Sequence, residues 1–90
     1  MRITFDPAKN ERNIRERGLH FMLVDGFSWE TAQTHEDRRV AYPERRFVSL
    51  GLIGARVYVV CVTQIPGGIR VISFRKANAR EVRRYEQEAG

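Results

Sequence analysis

Between Arg46 and Arg75 the chain carries three apolar runs joined by short, turn-forming connections. Residues 46–52 alternate, with Val48 and Leu50 set against Phe47 and Ser49, the period of a strand with two unlike faces. Gly54 follows in a tight turn. Residues 57–63, VYVVCVT, are apolar on both sides, as expected of a central strand buried on two faces. Pro66-Gly67-Gly68 is a second turn, with Pro setting φ and Gly accepting a positive φ. Residues 69–75 complete the series. Connections this short join neighbouring antiparallel strands. The expected fold class is therefore α+β, an antiparallel meander with helices packed on one face.

The flanking segments supply those helices. Residues 1–5 suit a short strand with Ile3 and Phe5 on one face. Asp6-Pro7 is a helix start, Asp6 as cap and Pro7 in the first helical position, and Gly18 is the stop. The helix between them is poor in apolar residues, with Ala8 and Ile14 its clearest contacts. Lys9, Asn13 and Arg17 share one polar face, either solvent surface or part of a site. Residues 20–27 read as a second short helix, with Phe21, Val24 and Phe27 near helical spacing. Trp29 reads as a core-capping aromatic. Residues 31–34 suit a strand, and the polar run HEDRRVAYPE at 35–44 a surface loop or irregular hairpin connection.

Arg70 to Tyr85, RVISFRKANAREVRRY, holds six of the sixteen Lys and Arg residues. Regular alternation would put Ile72 and Phe74 on one face and Val71, Ser73 and Arg75 on the other. Arg70 and Arg75 would then point to opposite faces. Asn78 offers an N-cap and Glu81, three residues on, completes a capping box, so a helix starts at Ala79. Val82, Tyr85 and Ala89 form one side of it, with Arg80, Arg83 and Arg84 spread around the rest. A strand delivering Ser73 and Arg75 to an open face, followed by an arginine-studded helix, makes a platform for polyanions. A solvated basic helix after an edge strand is the plainer alternative.

Ninety residues allow one domain, 1–90, with a single core. The net charge of +5 fits a nucleic-acid or acidic-protein partner. One cysteine, Cys61, excludes a disulfide framework and reads as a reduced, buried thiol. His20 and His35 head no metal-binding pattern, so neither a metal nor a cofactor is expected. With neither an apolar N-terminal segment nor a run approaching the ~20 apolar residues of a membrane span, a cytoplasmic protein is expected.

The opening FDPAKNERNIRERGLHF is similar to the start of the BrnT family of toxins of type II toxin–antitoxin modules, through Asp6, Lys9, Asn13, Gly18 and Phe21. ERRFVSLGLIGARVYVVCVT resembles the family's strand pair through Arg46, Phe47 and Gly51. RVISFRKANAREVRRYE resembles its last block through Arg70, Ile72, Ser73, Arg75, Ala77, Glu81 and Tyr85. The three blocks keep their order over nearly the whole chain. The family's Lys-His pair before the glycine is Glu16-Arg17 here, and its Ala between Ser and Arg is Phe74.

This resemblance implies a RelE-like fold, cleavage of RNA, inhibition of translation and growth, and a cognate BrnA-like antitoxin in a complex of two toxins with two antitoxins. The residue chemistry is compatible. Attack of a 2′-hydroxyl on the adjacent phosphate needs donors for the developing charge and a group that moves a proton, and it needs no metal. Arginines supply the donors. Glu81, Tyr85, Lys9 and His20 are the candidates for the proton, with Glu81 equally explained as a cap and Tyr85 as a base-stacking or packing ring. The candidate catalytic residues are Lys9, Arg46, Arg70, Ser73, Arg75, Glu81 and Tyr85, and the candidate RNA contacts are Lys76, Arg80, Arg83 and Arg84. The alternative from a different class is a basic module that grips RNA or a protein without cutting.

Overall fold

The computed structural model describes residues 1–89. Its strands are β1 (Arg2–Phe5), β2 (Gln33–Asp37), β3 (Arg46–Ile53), β4 (Arg56–Ile65) and β5 (Gly68–Lys76), and its helices α1 (Pro7–Arg17) and α2 (Ala79–Ala89). They form one sheet in the order β1-β5-β4-β3-β2, so the apolar β4 lies at the centre. The meander of β3, β4 and β5 is antiparallel, as the short turns require. β1 pairs in parallel with β5, which makes the sheet mixed rather than purely antiparallel. That pairing is possible because α1 and the whole meander separate the two strands in sequence, the long connection that parallel neighbours need.

Side chains opposite one another across a ladder share a face. One face carries Ser49 and Gly51 of β3, Val60 and Val62 of β4, and Ile69, Val71 and Phe74 of β5. Leu19, Phe21, Val24 and Phe27 cover it, with Trp29 packed at its border. Phe74 and Val60 are fully buried there, each stabilising the fold by about 1.5–3 kcal/mol. Phe27 lies so close over Gly51 that a Cβ would overlap its ring. The other face carries Val48, Leu50, Leu52, Val57 and Val59, on which α2 sets Val82 and the buried Tyr85. Helical elements therefore cover both faces, not one, because the apolar β4 needs burial on each side.

β5 is not a regular strand. Cys61 pairs with Ser73 but the next residue, Val62, pairs with Val71, so Ile72 is an extra residue on β5. This β-bulge reverses the alternation in mid-strand. Val71 joins Phe74 in the core, and Arg70, Ser73 and Arg75 share the opposite face. The assignment of Val71 to the face of Ser73 and Arg75 is thereby corrected.

α1 begins and ends where its signals lie: Asp6 Oδ1 accepts from the Ala8 amide at 2.9 Å, and Gly18, at φ 70°, donates its N–H to the Ile14 carbonyl. Its buried residues are not Ala8 and Ile14, which are exposed, but Asn10 and Asn13. Asn10 Oδ1 accepts from the Phe21 amide at 2.8 Å, and Asn13 Nδ2 donates to the Leu19 carbonyl at 2.9 Å. Arg17 donates to Asn13 Oδ1 and to the Phe74 carbonyl of β5. The polar face of α1 thus ties the following turn and the end of β5 together, beyond the reach of β1. Residues 21–26 form a 3-10 helix, not an α-helix, capped by His20 Nδ1 accepting from the Met22 amide. A second 3-10 turn spans Trp29–Thr31. β2 starts later than residue 31 and takes in His35 to Asp37, leaving 38–45 as the connection to β3. Among the described residues no helix is long and apolar enough to cross a membrane.

Candidate functional site

α2 is 11 residues long and its apolar residues cover only part of its face of the sheet. Beside it a groove of about 520 Å³ remains open between α2, the sheet and the 38–45 connection. β5 contributes Ser73 and Arg75, α2 contributes Glu81 and Arg84, β3 contributes Arg46, and β2 contributes His35 and Asp37. The bulge at Ile72 is what turns Ser73 and Arg75 toward this space while Phe74 stays in the core. Bulges commonly re-aim side chains beside active sites in this way.

Arg75 and Glu81 form the best-defined pair in the groove. Nη1 and Nη2 of Arg75 donate to Oε1 and Oε2 of Glu81 at 2.8 and 2.9 Å. Glu81 Oε1 also accepts from the Asn78 amide, and Asn78 Oδ1 accepts from the Glu81 amide, both at 2.9 Å, which is the expected capping box. The hydrogen bonds from Arg75, above all, hold the Glu81 carboxyl below the usual glutamate range, and the same bonds raise Arg75. A guanidinium has five N–H donors. Glu81 takes two of those of Arg75, and the Lys76 carbonyl accepts a third from Nη1 at 3.3 Å. Nε and the second hydrogen of Nη2 have no partner among the described residues. These two form the side-on fork of the guanidinium, the geometry that grips two oxygens of a phosphate.

The opposite wall is a network that starts at Asp37. This buried carboxylate accepts from Nε and Nη2 of Arg39, both at 2.9 Å, from the Arg39 amide at 3.2 Å, and from the Tyr42 hydroxyl at 3.1 Å. Arg39, foremost, holds the Asp37 carboxyl far below the aspartate range. The Arg46 guanidinium lies 4.1 Å from the Tyr42 ring centroid, and its Nε donates to Glu44 at 3.0 Å. Asp37 therefore orders Tyr42, Tyr42 supports Arg46, and the terminal nitrogens of Arg46 are left without a protein partner among the described residues. Glu36, next along β2, is engaged with Arg45 and then Arg38, which lower its carboxyl to about 2.

Arg84 lines the groove with no ion-pair or hydrogen-bond partner among the described residues. Cys61 lies in the wall opposite Ser73, and burial raises its thiol, which stays protonated at neutral pH. Arg46, Ser73, Arg75, Glu81 and Arg84 are thus brought together, and the other candidates lie elsewhere. Lys9 lines a separate depression with Arg12, Asn13 and Arg17, which reaches Ser73 from the side of α1. Arg70 is exposed on the groove face, opposite Thr63, outside the groove itself. Tyr85 is 5% exposed and packs with Leu50, Val57 and Val59, its hydroxyl facing Thr31 at 3.5 Å, so its ring is a core residue. Lys76 pairs opposite Tyr58, on the core face of the sheet, and Arg80 and Arg83 are exposed on α2 beyond the groove.

Sequence reasoning missed His35, Asp37, Arg39 and Tyr42 as wall residues. Their segment, HEDRRVAYPERR, lacks periodicity and reads as a polar loop. The available signal was its density of acid–arginine neighbours around one tyrosine. Among the described residues no group of three or more His, Cys, Asp or Glu side chains is placed to hold a metal ion.

A comparison with curated proteins finds no match. The family model described as the ribonuclease toxin BrnT of type II toxin–antitoxin systems matches residues 5–81, a span that takes in α1, the whole sheet from Phe5 of β1 onward, and α2 as far as Glu81. With its match running from the end of β1 through β2, β3, β4 and β5 and ending on the glutamate that grips Arg75, the chain belongs to the BrnT family of ribonuclease toxins of type II toxin–antitoxin systems.

Proposed function

We propose that the groove beside α2 is the active site of a metal-independent endoribonuclease whose cutting of RNA inhibits translation and growth. The observation that carries this reading is the convergence of Arg46, Arg75 and Arg84 on one groove with unsatisfied guanidinium donors. In-line attack of a 2′-hydroxyl on its neighbouring phosphate concentrates negative charge on the phosphorane oxygens. Fixed guanidinium donors stabilise that charge more in the transition state than in the ground state. Arg75 meets the requirement best, because Glu81 fixes its plane while its side-on fork stays open. Arg46 is held comparably by Tyr42 and Glu44. Ser73, between them on β5, donates or accepts at the bound phosphate or ribose. Arg70, Arg80 and Arg83, exposed outside the groove, steer flanking phosphates, a contribution that depends on salt. Lys9, in the depression that shares Ser73 with the groove, extends the path along α1. The antiparallel meander followed by a basic helix supports a RelE-like assignment of the fold. As a type II toxin the chain has a cognate antitoxin for a partner. We take that partner to be BrnA-like, in an assembly of two toxins with two antitoxins.

Alanine substitution of Arg75 tests the reading. The expected result is a fall in RNA cleavage of roughly 10²-fold or more, the scale of removing one transition-state donor, with an unchanged circular dichroism spectrum. Arg75→Lys keeps the charge but not the fork, and is expected to recover less than a tenth of the lost rate. Wild-type cleavage by the alanine variant would remove Arg75 from the site.

A further inference from the structure

We propose that His35 is the proton-transfer residue of the groove, taking the proton from the attacking 2′-hydroxyl; this deepens, and rests on, the ribonuclease reading above. The reaction needs such a group, and each candidate visible in the sequence is occupied elsewhere. Glu81 spends its carboxylate on Arg75 and the Asn78 amide, and stays ionised well below neutral pH. Tyr85 is in the core. Lys9 lies in the depression along α1. His20 caps the first 3-10 helix through Nδ1, and its Nε2 lies 3.2 Å from Asn10 Nδ2.

His35 differs from all four. It stands opposite Val48 in the β2–β3 register, on the same face as Gln33 and Asp37, and that face is the one that bears the groove. Its side chain is exposed and lines the groove, and neither ring nitrogen has a hydrogen-bond partner among the described residues. Imidazole is the side chain whose protonation ordinarily changes between about pH 5 and 8, which suits a base that must be neutral and still accept a proton near pH 7.

The surrounding charges are compatible with this role. Arg84 and Glu88 of α2 line a smaller depression that also includes His35. Arg46, on the adjacent β3 two residues from Val48, and Arg75 of β5 line the same groove, and Arg38 and Arg39 line it from the connection after β2. Of the neighbouring acids, Glu36 is engaged with Arg45 and Arg38, Asp37 with Arg39 and Glu81 with Arg75, while Glu88 of α2 has no ion-pair partner among the described residues. In the proposed step neutral imidazole accepts the 2′-proton as the P–O2′ bond forms and the P–O5′ bond breaks. The 5′-oxygen takes a proton from water, and the imidazolium returns its proton to the resulting hydroxide. The products are a 2′,3′-cyclic phosphate and a 5′-hydroxyl.

The test uses the full chain and its His35→Gln and His35→Ala variants in single-turnover cleavage of RNA across pH 5–8, with RNA affinity measured alongside. The expected result is a rate at least 10²-fold lower for both variants, with affinity within about twofold of wild type and the acid limb of the pH profile gone. Added imidazole is expected to restore part of the activity of His35→Ala, and a merely structural histidine would not respond to it. Wild-type rates with an unchanged pH profile in both variants would overturn the assignment while leaving the ribonuclease reading intact. A wild-type chain that binds RNA without cutting it would overturn both.

Discussion

The Glu81 carboxylate accepts from two nitrogens of Arg75 and from the Asn78 amide, so a substitution there acts on a helix cap and on a guanidinium at once. Glutamine keeps one oxygen acceptor, and its amide faces an arginine N–H as a second donor. Glu81→Gln is therefore expected to cost about 1–2 kcal/mol in urea denaturation at pH 7, and to lower cleavage less than tenfold, because Arg75 stays in the groove. The sign with pH follows from the depressed carboxyl. Its stabilisation is present above the unfolded value near 4.3 and is lost as pH falls through the lower folded value. The stability gap between wild type and Glu81→Gln should accordingly shrink below about pH 4; an undiminished gap at pH 3 would contradict the pairing. The capping half of this arrangement was legible in the sequence, since Asn78 and Glu81 stand at the required spacing. The Arg75 half was not, because a partner six residues away across a strand-to-helix turn depends on the shape of that turn. His35 and Asp37 were hidden for a related reason: in a polar segment only strand register reveals which side chains face the sheet.

The bulge in β5 is the element-scale device that separates core from site. With Ile72 inserted, Val71 and Phe74 both bury and Arg70, Ser73 and Arg75 share the other face. Deleting Ile72 removes the extra residue and leaves a regular ladder with the same pairs, so Val71 and Phe74 stay on the core face and Ser73 and Arg75 on the groove face. We expect the deletion variant to fold, to lose no more than about 3 kcal/mol, and to keep cleavage within about tenfold of wild type. A folded deletion variant without cleavage would show that the groove depends on the bulge itself and not on these pairings. The strands and turns of the meander were legible because tight turns and period-2 runs are local signals. The bulge was not, since Val71, Ile72 and Phe74 are all apolar and any register of them reads as strand. α1 shows the complementary limit. Asp6, Pro7 and Gly18 mark its ends, but its buried face is made of Asn10 and Asn13, whose hydrogen bonds to Phe21 and Leu19 no hydrophobic pattern encodes. The parallel pairing of β1 rests on contacts between the two ends of the chain, which local patterning cannot supply.

At the scale of the whole molecule, the sheet divides the labour. One face, under Leu19 and the 3-10 helices, holds the larger apolar cluster; the other, only partly covered by α2, holds the arginine groove. Arg38, Arg39, Arg46, Arg75 and Arg84 all line the groove on that second face. Expression of the chain alone is expected to arrest growth, and co-expression of its antitoxin to restore it with a co-purifying complex, burying on the order of 1,600 Å² or more. Unaffected growth in both cases would count against the proposed cellular role. The central claim is that the groove cuts RNA using this chain's own side chains, and end-mapping after incubation of the purified protein with RNA in EDTA tests it most directly. The account predicts fragments ending in 2′,3′-cyclic phosphate and 5′-hydroxyl groups, formed at the same rate with and without the chelator and absent when Arg46, Arg75 and Arg84 are all replaced by alanine. Cleavage abolished by EDTA and restored by Mg²⁺, or 5′-phosphate ends, would contradict it.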